Sequence, residues 1–378
     1  MMNLSLLNII PTSVIPVLTR KGKINFFSTK ESVMDTLALR RYKKIIYLAI
    51  LVFVTSQVLT NHARAQQLPL YSQYTMNSFL LNPASAAAEG YSMVNLTARE
   101  QWIGLPMSPK THAITFQMRL GTSKKYRPRR KPSIFNFGRR RGGRRNSNNV
   151  AIGGYIFNDK NGIIDRTGIQ FSYAYHIPLD EGQLSMGMSV TGFQFRIDEN
   201  KIVLYDEYDA LISGSDKTLY IPDANAGIYY MNRYMYAGLS ASDLFESSLK
   251  LGDTRSNQYK LERHYFLMGG YKYTQRRWDY LIEPNAMIKF SESGALQVDV
   301  GSKVYYRDYY WGGLSYRTGA GAGAIIVSGG VQVENFLLSY AFDLTMSSVM
   351  KHTFGSHEFM VSYKFGDNAR RYRWLRRY

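Results

Sequence analysis

The feature that most constrains the fold is a period-two alternation of side chains that recurs along the chain after residue 66. Residues 358–365 display it clearly, because every second position is large and apolar: Phe359, Val361, Tyr363 and Phe365. Residues 183–193 and 336–344 repeat the pattern, and no segment keeps a helical period for long. Such alternation places one face of a strand in an apolar medium and the other beside water or small side chains. The sequence therefore predicts an all-β chain.

Strand length narrows the class of β protein. The alternating segments number about fourteen, and each runs for about 9–12 residues, the span of a tilted membrane strand. Strands of soluble proteins average ~5–6 residues, which disfavours the alternative of an exported β-sandwich. Connections after even-numbered strands are mostly tight, whereas long ones such as 197–221 and 242–263 follow odd-numbered strands. We predict a transmembrane antiparallel up-and-down β-barrel over residues 91–365, with both termini on the periplasmic side.

The N-terminal part carries the pattern of an export signal. Basic residues precede the apolar run 45–54, and the small-residue motif Ala63-Arg64-Ala65 follows it. That combination predicts a secretory signal peptide cleaved after Ala65. The alternative is an uncleaved membrane anchor, but the apolar core is shorter than the ~20 residues that a spanning helix needs. Residues 1–65 are thus an upstream extension plus signal peptide, with translation starting at Met1 or Met34, and residues 66–90 are a periplasmic N-terminal segment.

The formal charge of +19 suggests a nucleic-acid protein until it is mapped onto the chain. Residues 121–149 hold eleven Lys and Arg and no acid, and the tail 366–378 holds five Arg. Residues 1–65 also carry nine Lys and Arg against two acids, so the charge belongs to the N-terminal signal segment, a basic insert and a basic tail. Nucleic acid is not an expected partner of an exported protein, so we interpret the insert as a periplasmic arm for an acidic partner or anionic envelope polymer. A solvated insertion is the alternative. The candidate contact residues are Arg139, Arg140, Arg141, Arg144 and Arg145.

Candidate catalytic and metal-binding groups are weak. Ser347, Ser348, His352 and His357 gather near Asp343, but adjacency in a loop does not make a catalytic triad. The acidic loop 198–216 offers carboxylates for Ca²⁺, yet its spacing fits no EF-hand, which favours a hydrated outer loop. The Gly-Ala repeat 319–324 precedes a strand pattern and not a helix, so it lacks the context of a phosphate-binding loop. We predict no enzyme, no cofactor and no metal.

Alternation also predicts which polar residues face the barrel interior. Charged side chains are costly on the lipid face of a barrel strand, so they should point into the lumen. The residues predicted to point away from lipid are Arg99, Gln117, Arg119, His176, Gln297, Asp299, Lys303 and Asp343. Packing within the lumen explains them without transport.

Several short motifs occur in a fixed order from the predicted mature N-terminus to Phe365. They include Gln73-Tyr74, Asn82-Pro83-Ala84, Arg99, Gln101-Trp102, Pro109, Asp343 and His357-Glu358. Their order and spacing together resemble the PorP/SprF family. Two features depart from the family pattern, namely the long insert 121–149 and the tail beyond Phe365. The family-motif positions to which we assign no role are Gln73, Tyr74, Asn82, Pro83, Arg99, Gln101, Trp102, Pro109, Asp343 and His357.

The resemblance implies a non-enzymatic component of the type IX secretion system in the outer membrane. It further implies a role in secreting or retaining surface adhesins that bear a C-terminal sorting domain, and in gliding where gliding occurs. The expected partners are outer-membrane lipid, the exported adhesin and other secretion components in the periplasm. The alternative function is a solute-transporting porin, because a barrel of about fourteen strands is wide enough for a pore or a plug.

Overall fold

A computed structural model of the chain describes residues 70–120, 149–198, 218–245, 248–250, 258–275, 279–307, 309–319 and 323–366. Fourteen antiparallel strands close into one barrel. They are β1 (Ser92–Glu100), β2 (Lys110–Leu120), β3 (Val150–Asn161), β4 (Ile164–Pro178), β5 (Gly182–Ile197), β6 (Thr218–Asn232), β7 (Met235–Ser242), β10 (His264–Tyr271), β11 (Tyr280–Ser291), β12 (Leu296–Tyr306), β13 (Tyr310–Gly319), β14 (Ala324–Val333), β15 (Phe336–Thr345) and β16 (Ser356–Phe365). The short strands β8 (Ser248–Lys250) and β9 (Gln258–Lys260) form a separate two-stranded sheet.

Each barrel strand pairs with its neighbours along the chain, and β1 closes the wall against β16, from Ser92 opposite Phe365 to Glu100 opposite His357. The predicted strand number and up-and-down order are confirmed. The ends of some strands differ from the prediction, most clearly in β6, which begins at Thr218, within the predicted connection 197–221. Strand β7 pairs with β6 only from Ala226 onward, so Pro222 has a strand on one side and its missing N–H costs no ladder bond there.

The two ends of the barrel differ in their connections. Where β1 begins and β16 ends, the connections include the short segments 179–181, 233–234 and 334–335, and we call this the turn end. The opposite end carries the longer connections 101–109 and 346–355, and we call it the loop end. Three loop-end connections are also short, namely 162–163 between β3 and β4, 292–295 between β11 and β12, and 320–323 between β13 and β14. The basic insert and the basic tail both leave the wall from the turn end, after Leu120 and Phe365.

The wall has its apolar side outward and its polar side inward. In β5, Met186, Met188 and Val190 are exposed, whereas Ser185, Ser189 and Thr191, which alternate with them, are buried. All eight polar residues that alternation predicted to face away from lipid are buried, which confirms that prediction. This arrangement is expected of a membrane barrel, because the apolar side chains of the outer face then contact lipid and the polar side chains stay inside. Within the described part of the chain, no helix combines the length and apolar character needed to cross a bilayer.

Exposed aromatic rings gather at the turn end of the wall. They are Tyr175, Tyr234, Tyr271, Tyr280, Tyr306, Tyr310, Phe336 and Tyr363. Beside the closing seam, the Phe336 and Tyr363 rings lie 4.8 Å apart, centroid to centroid. Girdles of this kind mark the level of the lipid headgroups in membrane barrels, since an aromatic ring has both an apolar body and a polar edge.

Candidate functional site

Residues 70–90 lie inside the barrel, and we call them the plug. Short 3₁₀ helices at Ser78–Leu80 and Pro83–Ser85 compact the segment. Its side chains reach opposite parts of the wall, because the Tyr74 hydroxyl donates to Asn285 in β11 at 3.0 Å and the Asn77 amide donates to Thr115 in β2 at 3.0 Å. The sequence predicted a periplasmic segment over 66–90. The described part instead occupies the lumen, where its amide, hydroxyl and small side chains match polar walls.

The plug runs from the turn end towards the loop end. Close to β1, the Ala88 carbonyl accepts from Gln183, which lies at the turn-end start of β5. Next to it, the Ala87 amide donates at 2.8 Å to Gln117, which lies in the turn-end part of β2. At its other end, Ser72 contacts Glu358 near the loop-end start of β16. The N-terminal end of the plug therefore points towards the loop end.

A glycine patch on the wall (Gly187, Gly227 and Gly238) receives the Asn82-Pro83-Ala84 motif. The Asn82 amide donates to the wall carbonyls of Ile228 at 3.0 Å and Leu239 at 3.3 Å, while its oxygen caps the Ala84 N–H at 2.9 Å. A Cβ on Gly227 would lie 2.2 Å from the Asn82 side-chain oxygen, and one on Gly187 would lie 2.4 Å from the Ala84 nitrogen. The absence of side chains thus lets the motif approach the backbone of the wall.

Gly187→Val should dislodge the plug, because the new Cβ meets main-chain atoms of Pro83 and Ala84 that cannot move aside without shifting the 3₁₀ turn. We expect the loss of a few kcal/mol of stability, on the order of 1–3 kcal/mol for overpacking, and protease cleavage within residues 70–90. The matched control is Gly192→Val in the same strand, where a Cβ meets nothing within 4 Å. Limited proteolysis of both variants in lipid measures the difference, and equal resistance would contradict this docking.

A lumen network of five charged residues lies near the loop end of the barrel. Arg99 contacts Asp343 at 2.7 Å and Glu358 at 3.0 Å. Arg317 contacts Asp299 at 2.9 Å and the same Asp343 at 3.3 Å. All five side chains are almost completely buried. Buried charges need opposite charges and hydrogen bonds to offset the loss of water, and β1, β12, β13, β15 and β16 each supply one member.

The plug completes the hydrogen bonds of this network. The backbone N–H groups of Ser72 and Gln73 donate to the two carboxylate oxygens of Glu358 at 2.7 and 3.0 Å. The Ser72 hydroxyl donates to Asp343 at 2.6 Å and accepts from Arg99 at 2.8 Å. Three carboxylates thus share two guanidinium groups and the hydrogen-bond donors of the plug. If the plug moved away, the buried carboxylates would lose those donors, so the position of the plug and the stability of the network depend on each other.

Apolar contacts hold the plug on two sides. Tyr74, Ala84 and Ala88 belong to one buried cluster with wall residues that include Met268 and Met287. Phe79 belongs to another, and its ring occupies the place of a side chain on Gly153, where a Cβ would lie 2.4 Å away. Packing as well as hydrogen bonds therefore holds the plug in the lumen.

The remaining motif positions form a corner at the loop end. The Gln101 N–H donates to the Pro109 carbonyl at 2.8 Å. The Trp102 indole N–H donates to Thr345 at 3.2 Å, and its backbone N–H donates to Ser356 at 3.2 Å. His357 faces outward and hydrogen bonds with the Tyr340 hydroxyl at 2.6 Å. These residues tie the connections 101–109 and 346–355 together beside the β1–β16 seam.

The structure separates the residues that sequence suggested for catalysis. Asp343 points into the lumen network, whereas His357 pairs with Tyr340 on the outer side of the wall. Among the described residues, no three His, Asp or Glu side chains are placed to hold a metal ion. Of the acidic loop 198–216 only Asp198 is described, and the five candidate arginines of the insert lie outside the described residues. Gly319 and Ala324 end β13 and begin β14, with 320–322 outside the described part.

Sequence reasoning picked out Arg99 and Asp343 but missed that Glu358 and Arg317 complete their network. Period-two alternation along the strands could have predicted that both residues face inward. Glu358 precedes the outward-facing Phe359, and Arg317 lies opposite the inward-facing Asp299 on the neighbouring strand. The glycine patch was harder to predict from the sequence. Gly187 and Gly227 lie directly opposite each other on β5 and β6, but this pairing is visible only once the register is known.

The closed wall, its apolar outer face and its plugged polar lumen define a plugged outer-membrane β-barrel. The family model described as "Type IX secretion system membrane protein PorP/SprF" matches residues 63–363, most of the chain. The chain therefore belongs to the PorP/SprF family, is located in the outer membrane and is a component of the type IX secretion system. Membership also implies association with other components of that system.

Solved structures of other proteins are only distantly similar to this chain. The toluene transporter TbuX of Ralstonia pickettii is 9% identical with a TM-score of 0.42, over 76% of this chain and 92% of that one. BamA of Haemophilus ducreyi lacking POTRA domains 1–3 is 10% identical with a TM-score of 0.38, over 73% of this chain and 70% of that one. The toluene transporter TodX of Pseudomonas putida is 8% identical with a TM-score of 0.39, over 76% and 93%. A search of curated proteins finds no match.

Proposed function

We propose that this barrel acts by binding proteins, as a non-enzymatic component that helps to secrete or retain surface adhesins bearing a C-terminal sorting domain. In cells that glide, it would support gliding through those adhesins. The plugged lumen is the observation that carries the proposal. The plug reaches strands on opposite sides of the wall and is held by charge, hydrogen bonds and apolar packing.

The same observation argues against the alternative of a solute porin. Free diffusion needs a continuous aqueous path, as in porins of 16–18 strands. In this barrel Tyr74, Phe79 and Asn82 are buried in the middle of the lumen. A function performed at the two ends of the barrel does not require that path.

The two ends offer different surfaces for partners. We place the turn end in the periplasm, because short periplasmic turns and longer outer loops are the usual arrangement in outer-membrane barrels. The basic insert and the basic tail then both lie on the periplasmic side, where other secretion components are. The loop end, with the corner around Trp102, then faces the exported adhesin and the exterior.

Deletion of the gene tests the proposal at the level of the cell. We expect the surface display of one large adhesin to fall to background, while the uptake of small hydrophilic solutes is unchanged. Surface proteolysis followed by mass spectrometry measures display, and radiolabelled solute uptake provides the second readout. Full display of every exported protein in the deletion strain would contradict the proposal. A defect in uptake with normal display would favour the porin.

The five arginines of the insert are predicted to contact an acidic partner. Changing Arg139, Arg140, Arg141, Arg144 and Arg145 to Gln should reduce the amount of periplasmic partner that co-purifies with the barrel by an order of magnitude at low salt. Quantitative mass spectrometry of affinity-purified outer membranes measures the change.

The tail provides a matched control, because it carries the same number of arginines and leaves the wall at the same end. Changing Arg370, Arg371, Arg373, Arg376 and Arg377 to Gln removes an equal charge. If both variants lose the partner equally, the attraction belongs to the net charge of the turn end and not to the insert.

A further inference from the structure

A cavity of about 100 Å³ lies beside the plug in the loop-end half of the lumen. Its apolar lining comes from Phe79 and Leu81 of the plug and from Phe157, Phe193 and Phe266 of the wall. The Phe157 and Phe193 rings lie 6.4 Å apart, centroid to centroid. The intervening strand carries Gly168, where a Cβ would lie 2.5 Å from Phe193 and 2.7 Å from Phe157. This glycine therefore provides the room in which the two rings form one wall of the cavity.

Two carboxyl groups line the same cavity, those of Asp223 and Asp243. They lie within hydrogen-bonding reach of each other. One oxygen of the buried Asp223 accepts the backbone N–H groups of Ala224 at 2.7 Å and Phe245 at 3.0 Å. Asp243 lies 3.4 Å from the imidazole of His264. Two adjacent carboxylates repel each other unless a proton or a cation lies with them.

The other polar groups that line the cavity already have hydrogen-bond or ion-pair partners, and one of them, Ser242, donates to Asp243 at 3.3 Å. Asn225 donates to Gln170 at 2.9 Å, and Thr191 donates to the same oxygen at 3.2 Å. The cation that lines the cavity, Arg166, forms an ion pair with Asp159 at 2.8 Å. The Asp223 and Asp243 pair is therefore the feature that gives the cavity its charge selectivity.

We propose that this cavity binds a primary alkylammonium group, the chemistry of a lysine side chain or of a small free amine. The alkyl chain lies against the phenylalanine rings, and the ammonium donates its hydrogen bonds to Asp223 and Asp243. An anion is excluded by the two carboxyls. A cavity of roughly 150 Å³ holds a benzene ring, so one of this size suits a linear chain better than a ring. The proposal does not depend on the role in secretion.

A series of probes of equal length and different charge tests the site in the wild-type barrel. Radiolabelled n-butylamine, n-butanol and butyrate are dialysed to equilibrium against the protein in lipid nanodiscs, with empty nanodiscs as the blank. We expect saturable binding of n-butylamine, at least ~10-fold weaker binding of n-butanol, and none of butyrate, because hydrogen bonds between charged groups are the stronger ones. Equal affinity for the amine and the alcohol, or no saturable amine binding, would overturn the proposal.

Asp223→Asn locates the binding in this cavity, since it keeps the shape of the side chain and removes its charge. We expect it to weaken n-butylamine binding about tenfold and to leave n-butanol unchanged. Asp279→Asn at the exposed turn end is the matched control and should change neither. An unaltered amine affinity in Asp223→Asn would place the binding elsewhere. If this variant does not fold, the probe series on the wild type still decides the proposal.

The source of the ammonium group is distinguished by competition. The peptide acetyl-Gly-Gly-Lys-Gly-Gly-amide is added to the n-butylamine dialysis, and the same peptide with norleucine in place of lysine serves as its control. Displacement by the lysine peptide alone assigns the site to a polypeptide side chain. Binding of n-butylamine that neither peptide displaces supports the proposal for a free amine. Displacement by both peptides equally would contradict selectivity for an ammonium group.

Discussion

Removal of residues 71–88 opens the barrel to ions. In planar lipid bilayers we expect the intact protein to give no sustained current, whereas the deletion variant gives continuous conductance at least an order of magnitude above that background. The expectation follows from the packing of the plug, which fills the lumen between β2 on one side and β11 on the other. A wall of about fourteen strands is wide enough to leave an aqueous path once its contents are removed.

Several inward residues next to the plug are small or hydrogen bonded to it, as Gly187, Gly227 and Ser240 illustrate. The matched control is deletion of residues 367–378, which shortens the chain at the turn end and leaves the plug in place. Conductance of equal size in the intact protein and the plug deletion would show that the lumen is already open.

Arg99→Leu should have the largest effect of any single substitution in the lumen. It leaves Asp343 and Glu358 buried with one guanidinium group, that of Arg317, and with the donors of the plug. Removing one member of a buried ion pair costs about 3–5 kcal/mol, because the remaining charges lose their compensation. We expect a loss of stability of that order, together with partial opening of the plug. Urea unfolding in lipid vesicles, followed by tryptophan fluorescence, measures it.

The control for this prediction is Arg307→Leu, which breaks an ion pair with Asp279 that is exposed to solvent at the turn end. Exposed pairs contribute little, since water screens both charges. We expect no measurable change in the unfolding midpoint. Arg99→Lys should fall between the two, because it keeps the charge but loses the fork that reaches two carboxylates at once. If Arg99→Leu and Arg307→Leu unfold alike, the lumen network does not hold the plug.

The wall of this barrel was predictable from the sequence because apolar and polar residues alternate within each strand according to the environment of its two faces. Period-two alternation depends on neighbours one and two positions away, and the strands near 183–193 and 336–344 needed no knowledge of the rest of the chain. The same parity correctly placed Arg99 and Asp343 in the interior.

The plug was not predictable in this way. Residues 70–90 have no period of their own, and their partners lie far along the chain, as with Ser72 and Glu358, which are 286 positions apart. Period-two alternation predicts that Arg99 and Asp343 face inward, but it does not predict that the two side chains are in contact. Their contact depends on closure of the barrel, which brings β1 beside β16 and β15. Family resemblance drew attention to these positions without explaining them.

The placement of the motifs suggests why they belong together. Gln73 and Arg99 meet in the lumen network, and Asn82 with Pro83 rests on the glycine patch. These positions hold the plug, whereas Trp102 and Pro109 shape the corner at the loop end. We infer that the lumen motifs keep the barrel closed while the corner is available to partners.

The claim that the barrel works with its plug in place is tested most directly by measuring adhesin display in cells whose plug is covalently linked to the wall. The chain has no cysteine, so a pair introduced as Asn77→Cys and Thr115→Cys is the only site for a short, reducible bis-thiol linker. Their native side chains hydrogen bond at 3.0 Å, which places both within reach of such a linker. We predict that adhesin display is the same with the plug locked, with it unlinked, and after reduction. Display that disappears on locking and returns on reduction would contradict the account, because it would mean that the lumen has to open for the barrel to work.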